Sequence, residues 1–330
     1  MDSERQANGR IVAPKRGNGA LYSVGNPLKE LWERPVLQWD VPTDNTPLPQ
    51  NQVICADVKD ALPRIPSGSV QLVLADGPYG KALKVRWDNQ WRGLKQFLEW
   101  YERCVSECLR VLRDDGACIL FGQIGKRCHW FVHLQSYLSL RFPGHFFDRI
   151  IWDRIVGYSE RRDSFTPAHE EALILRKSAT TKFRKDRVRE PYTEEQQRQL
   201  MRDERYSDKK ARAEHLAKGK YLRNIIRVPS LRGTSKEKCG HPSQKPLELI
   251  QALIALFTDR GDLVLDPFLG SGTTGVAAQL LGRPWIGIEK SRQHCWRAQK
   301  RLIKHATKCA AFNPGDVIEP RPGKMRIYVD

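Results

Sequence analysis

No run of eighteen apolar residues occurs in this chain, so no segment is built to cross a membrane as a helix. The first twenty residues, MDSERQANGRIVAPKRGNGA, lack the apolar stretch of a secretory signal, and a cytoplasmic location is expected. Cysteine is sparse, eight in 330 residues without a CxxC pair. That argues against a zinc finger or a disulfide scaffold and for reduced thiols. Acidic residues are outnumbered, 38 against 56 Lys and Arg, for a net charge of +18. A polyanionic partner follows, nucleic acid before an anionic membrane. Hydrophobic residues at 40% and charged residues at 28% suffice for a packed core, which excludes a disordered chain.

The excess charge is concentrated. Residues 176–238 hold twenty Lys or Arg and nine Asp or Glu, a net of +11 in less than a fifth of the chain. One reading is a pair of solvated charged helices. The other is a strip that tracks phosphates, with Lys182, Arg184, Lys185 and Arg187 as contacts and Tyr192, Tyr206 and Tyr221 available to bases. Residues 1–50, rich in Pro and Gly, read as an extended basic arm.

Elsewhere the periodicity is of the α/β kind. Buried strands are expected at Gln52 to Cys55, Val70 to Ala75, Ala117 to Phe121, Asp148 to Trp152, Ala172 to Leu175, Leu263 to Leu265 and Trp285 to Ile288. Leu94, Phe97, Leu98, Tyr101, Val105, Cys108, Leu109 and Leu112 share one helical face, which makes Cys104 and Cys108 core residues. A second helix follows Pro246, read as a first-turn residue. Alternating strands and helices imply a mostly parallel twisted sheet with helices on both faces, and a ligand at the carboxyl ends of its strands.

Two strand ends carry chemistry. Leu263 to Ser291 runs strand, Asp266, glycine loop (Gly270, Gly272, Gly275), helix, strand and Glu289. Glycines admit a ligand close to the backbone, a helix start adds positive potential, and an acid after the next strand suits ribose hydroxyls. Gly270-x-Gly272-x-x-Gly275 also fits a dinucleotide fingerprint, so an NAD or FAD oxidoreductase is a rival. After Val70 to Ala75 comes Asp76-Gly77-Pro78-Tyr79, where Pro78 forbids a helix and leaves carbonyls beside a carboxylate and an aromatic ring. Carboxylate plus carbonyl suits an exocyclic amine, and a tyrosine face suits a planar base. His129 and His133 share a helix face without a third ligand, so no metal is expected. His169-Glu170-Glu171 reads as a solvated strand edge.

With both motifs in view, the chain resembles the S-adenosylmethionine-dependent amino-methyltransferases that act on adenine N6 or cytosine N4 of DNA. Asp76-Gly77-Pro78-Tyr79 is similar to their Asp-Pro-Pro-Tyr motif, and Asp266 to Gly272 to their Phe-x-Gly-x-Gly loop. His241-Pro242-Ser243-Gln244-Lys245-Pro246 is similar to the element preceding that loop. The order, catalytic motif first and cofactor loop last, resembles the beta group. Gly77 stands where Pro is usual, which predicts a looser turn.

The resemblance implies a Rossmann-like methyltransferase fold with an inserted basic target-recognition segment. It divides the chain into an arm (1–50), a catalytic half (51–180), the recognition segment (181–238), a cofactor half (239–310) and a tail (311–330). Asp76 and the Gly77 carbonyl would accept the amine hydrogens of a flipped base, with Pro78 shaping the turn and Tyr79 stacking on the base. Asp57 would meet the cofactor adenine, Glu289 its ribose, and Asp266, Phe268, Gly270, Gly272 and Thr273 would line the cofactor, while His241, Ser243 and Lys245 close over it. The implied partner is double-stranded DNA, in a bacterial cytoplasm or a phage host, with room for a cognate restriction endonuclease acting independently on the same site. In this family Asp in the motif accompanies adenine N6 and Ser accompanies cytosine N4. N4 of cytosine is therefore the runner-up, and a non-catalytic DNA-binding protein on the same fold is a further alternative.

Overall fold

Apolar runs and amphipathic stretches resolve into twelve strands and eight α-helices among the residues described by a computed structural model: 34–40, 46–124, 129–155, 165–205, 207–308, 312–320 and 323–330. The chain divides into Met1–Pro35 and Val36–Asp330, and the fold below is that of the second unit. Most of the expected 1–50 arm therefore lies outside the described residues, as does Tyr206.

The elements are β1 (Gln52–Cys55), α1 (Val58–Ala61), β2 (Val70–Ala75), α2 (Leu94–Val111), β3 (Leu112–Gly122), α3 (Trp130–Arg141), β4 (Phe146–Asp153) and β5 (His169–Arg176). Then follow β6 (Val188–Glu190), α4 (Glu194–Arg202), α5 (Lys209–Lys218), β7 (Lys220–Tyr221) and β8 (Ile225–Arg227). The last are α6 (Leu247–Phe257), β9 (Val264–Asp266), α7 (Thr273–Leu280), β10 (Trp285–Glu289), α8 (Arg292–Lys308), β11 (Val317–Ile318) and β12 (Arg326–Tyr328).

Eight strands form one sheet in the order β1-β10-β9-β2-β3-β5-β4-β8. It is parallel from β1 to β3; β5 runs antiparallel to β3 and β4, and β8 parallel to β4. Strand β2 shows why its sequence is apolar throughout. Leu72 and Leu74 pack on one face with α6 and α7, while Val73 and Ala75 pack on the other with α2 and α3. A strand covered on both faces shows no polar alternation. Cys104 and Cys108 are buried on the α2 face, as their spacing predicts. Pro246 is the N-cap of α6 with extended backbone, one position before the expected first turn.

The charged segment is not one body. Its helices α4 and α5 are largely exposed, but β8 extends the main sheet, and β6 and β7 join a second sheet ordered β11-β12-β6-β7. The final stretch, expected as a tail, supplies β11 and β12 and buries Met325, Ile327 and Val329 against α6 and its neighbours. Among the described residues no helix is long and apolar enough to cross a membrane.

Candidate active site

Strands β2 and β9 are adjacent and parallel at the centre of the sheet, so Asp76 and Asp266 emerge side by side at their carboxyl ends. A cavity of about 900 Å³ opens there, at the edge where parallel sheets bind ligands. Asp57, Asp76, Gly77, Pro78, His241, Ser243, Lys245, Asp266, Phe268, Gly270, Thr273 and Glu289 all line it. Tyr79 and Gly272 do not. Arg86, Trp87, Gln90 and Trp100 also line it and have no counterpart among the sequence motifs; Trp87 stacks on His241 with ring centroids 6.4 Å apart.

At the Asp76 end four side chains interlock. Lys245 Nζ donates to Asp76 Oδ1 and Oδ2, 2.7 Å each, and to Tyr79 Oη at 2.7 Å. Tyr79 Oη lies 2.6 Å from Asp76 Oδ1 and 3.1 Å from Glu170 Oε2. Glu170 Oε2 also faces Lys245 Nζ at 3.2 Å, and its Oε1 accepts from Arg154 Nη1 at 3.1 Å. Burial pushes the Asp76 pKa up, although Lys245 pulls against it. Burial opposes the Lys245 charge, but Asp76 and Glu170 outweigh it and hold its pKa above the ordinary lysine value.

Three expectations change here. Tyr79 is 4% exposed and its hydroxyl belongs to this cluster, so its ring offers no open stacking face. Lys245 reaches the Asp76 carboxylate rather than only covering the cofactor loop. Glu170 is buried, not a solvated edge. The only signal available was a pair of glutamates, Glu170 and Glu171, running directly into the apolar strand residues Ala172 to Leu175.

The turn itself is rigid, against the expectation from Gly77. Asp88, fully buried, accepts from the backbone N–H groups of Tyr79 (2.6 Å), Gly80 (2.9 Å) and Leu83 (2.6 Å). Tyr101 Oη donates to the Pro78 carbonyl at 2.6 Å. A Cβ at Gly77 would lie 2.6 Å from Tyr101 Oη and 2.9 Å from the Phe268 ring. Neighbouring side chains thus hold what the usual proline would, and they leave no room for it.

At the other end, Gly270 (φ +49°) and Gly272 (φ +77°) turn the chain from β9 into α7. Gly270 faces the cavity, where an added Cβ would come within 3.0 Å of His241 Nε2. Gly272 instead faces Ala298 of α8, 3.1 Å from such a Cβ, so helix packing rather than ligand approach selects it. Glu289 accepts from Gly270 N (2.9 Å) and Ser291 N (2.7 Å). Burial raises its pKa, but hydrogen bonds from His294, Ser291 and Gly270 hold it below the usual carboxylate value. Asp57 caps α1 through Lys59 N and pairs with Lys290 at 2.8 Å. Burial lowers His241 to about 4 and pushes Asp266 up to about 7. An ionised carboxylate for a diol, an aromatic wall in Phe268, a side-chain-free Gly270 and an acid beside them fit a nucleoside bearing a positive group.

The four expected phosphate contacts are elsewhere. Lys182 pairs with Asp262 (2.5 Å) and Asp259 (2.8 Å), Arg184 with Asp259 (2.8 Å), and Arg187 with Asp259 (2.7 Å) and Asp330 (3.1 Å). Asp259 and Asp262 precede β9, at the amino end of the sheet and opposite the cavity. Lys185 lies over the Tyr221 ring at 4.7 Å. Compensated by internal carboxylates, the first three are structural cations.

The family model for DNA methylases of the N6/N4 type matches residues 70–300. The type II methyltransferase M.HpaI of Haemophilus parainfluenzae is 27% identical over 273 residues, 82% of this chain and 78% of its own. DNA adenine methyltransferase YhdJ of Escherichia coli is 28% identical over 253 residues, 76% of this chain and 82% of its own. In fold, PvuII DNA methyltransferase (cytosine-N4-specific) superposes with a TM-score of 0.57 at 16% identity, covering 79% of this chain and 92% of its own. A protein described as a DNA modification methylase from Thermus thermophilus gives 0.52 at 24%, covering 78% and 97%. The chain thus belongs to the N6/N4 family of DNA methylases, enzymes that take their methyl group from S-adenosylmethionine.

Proposed function

We propose that this methyltransferase modifies the N6 amine of adenine in double-stranded DNA, the base being turned out of the duplex into the cavity. The carrying observation is that Asp76 and Gly77 line the cavity on the strand end beside the glycine loop. The Pro78 carbonyl is taken by Tyr101, whereas among the described residues nothing donates to the Gly77 carbonyl, which remains for the second amine hydrogen. An exocyclic amine on a heteroaromatic ring is a weak nucleophile, its lone pair delocalised. Accepting both N–H hydrogens localises that pair and stabilises the positive nitrogen that develops. S-adenosylmethionine supplies the electrophilic methyl; Glu289, Phe268, Gly270 and Asp266 are the residues that would hold it.

Asp rather than Ser at position 76 and the adenine-specific name of the Escherichia coli relative support adenine. The relatives named type II methyltransferases support a cognate endonuclease acting on the same site. Digesting DNA methylated with labelled donor to nucleosides decides the base. Label in N6-methyladenine is expected; label in N4-methylcytosine overturns adenine. Asp76→Ala should keep donor binding and lose turnover by about 10² to 10³.

A further inference from the structure

Methyl transfer as proposed uses Asp76 and Gly77 and leaves Glu170 without a task. Yet Glu170 is buried within 3.2 Å of both groups that hold Asp76, namely Lys245 Nζ and Tyr79 Oη. Its other oxygen is fixed by Arg154, itself 2% exposed and bonded also to the Pro167 carbonyl at 3.2 Å. Hydrogen counting gives the cluster a direction. Tyr79 Oη carries one hydrogen, which can go to Asp76 Oδ1 or to Glu170 Oε2. Lys245 carries three, facing Asp76, Tyr79 and Glu170. A base amine that must donate to Asp76 competes with these two residents for the carboxylate lone pairs. Rotation of one hydroxyl hydrogen from Asp76 to Glu170 clears a lone pair without moving a heavy atom, and keeps the hydroxyl bonded in a buried site where an unpaired polar group is costly.

We propose that Glu170 is a positioning residue of the methyl-transfer site: when the target amine reaches Asp76, Glu170 takes over the Tyr79 hydrogen and part of the Lys245 ammonium, leaving Asp76 Oδ1 to the amine. This rests on the reading of Asp76 as the amine's acceptor. No proton leaves the cluster in the exchange; one hydrogen bond is traded for another.

The charged groups facing Asp76 are Lys245 from the segment before α6, Glu170 from β5 with Arg154 behind it, and Asp266 from β9, with the Tyr79 hydroxyl from its own turn. Removing the Glu170 charge therefore eases Asp76 ionisation, and removing the Lys245 charge hinders it. The test is single-turnover methylation against pH at saturating donor, on a duplex carrying the site mapped from the wild-type product. Saturation keeps Asp266, whose titration would be felt in donor binding, out of the profile. Glu170→Gln should slow the rate by about 10- to 100-fold, the size of loss that follows when the hydrogen-bond partner orienting a metal ligand is removed. It should move the acid limb to lower pH, leave donor affinity unchanged by calorimetry, and leave the fluorescence rise of a 2-aminopurine placed at the target base intact. Lys245→Met should move the limb to higher pH. Glu170→Asp, which keeps the charge, should leave the limb near wild type at an intermediate rate, and decides the matter should the Gln variant not fold. A Gln variant at the wild-type rate, or one slowed with its acid limb unmoved, overturns the proposal. A wild-type enzyme whose label is not on an exocyclic amine overturns instead the reading beneath it.

Discussion

Gly77 is where this chain departs from the Asp-Pro-Pro-Tyr pattern it resembles, and its surroundings account for the departure. Tyr101 Oη and the Phe268 ring occupy the space that a side chain at 77 would enter, while Tyr101 and Asp88 supply the rigidity through the Pro78 carbonyl and the Tyr79 amide. Restoring the family residue should therefore harm the protein. Gly77→Pro is expected to destabilise it by about 1–3 kcal/mol through overpacking. Adding Tyr101→Phe, which removes the 2.6 Å contact, should recover part of that loss. Thermal melting of the three proteins measures both; a Gly77→Pro variant as stable as wild type would show that the collision is relieved without strain. Asp76, Gly77 and Glu289 were legible because their strand-end context is local. Glu170 and Asp88 were not, since their partners lie 91 and 9 residues away and only folding brings them to Tyr79.

At the scale of elements the glycine loop divides into two jobs. Gly270 belongs to the cavity, whereas Gly272 lies at the start of α7 with a left-handed φ of +77° and Ala298 of α8 close by. Gly272→Ala combines backbone strain with a 3.1 Å contact, and a loss of about 1–3 kcal/mol is expected. The melting temperature should fall, while the folded fraction binds S-adenosylmethionine with nearly unchanged affinity. Calorimetry below the melting point tests this, and a large affinity loss in a stable variant would return Gly272 to the ligand. The strands themselves were readable: each expected run falls on an observed strand within a few residues. Burial on both faces imposes the continuous apolar sequence of β2, β9 and β10, whereas β1 and much of β4, also expected to be buried, are exposed or half-buried near the sheet edges. Strand direction was not readable. Strand β5 turns antiparallel through the connection after β4, and nothing in the apolar content of Ala172 to Leu175 records it.

Over the whole molecule, the charge excess is met by carboxylates where it is densest. Lys182, Arg184 and Arg187 look like a phosphate-binding run in sequence, but distant Asp259, Asp262 and Asp330 meet them at the edge of the sheet away from the cavity. The cavity edge carries other cations. Lys81, Lys84, Arg86 and Arg92 are exposed on the loop that follows the Asp76 turn. Arg232, Lys236 and Lys238 are exposed between β8, whose last residue pairs with Asp153 beside His169, and His241 in the cavity wall. On the proposed reading, in which DNA delivers a base to Asp76, these exposed cations are the expected phosphate contacts. Affinity should fall with salt at a log–log slope of about −0.9 per phosphate neutralised. Replacing Arg232, Lys236 and Lys238 by Gln should flatten that slope by up to about three contacts' worth, with little change in melting temperature. The same replacement at Lys182, Arg184 and Arg187 should do the reverse, lowering stability because Asp259 loses its partners, and leaving the slope of the folded protein in place. Asp259 gives the sign: hydrogen bonds from Arg184, Lys182 and Arg187 hold its carboxyl far below the ordinary pKa, so the network stabilises the fold above the unfolded carboxylate pKa and weakens as acid protonates it. Salt titrations and melts of the two triple variants at neutral pH separate the sets. A flattened slope in the 182–187 variant would put DNA on the opposite edge of the sheet, away from Asp76.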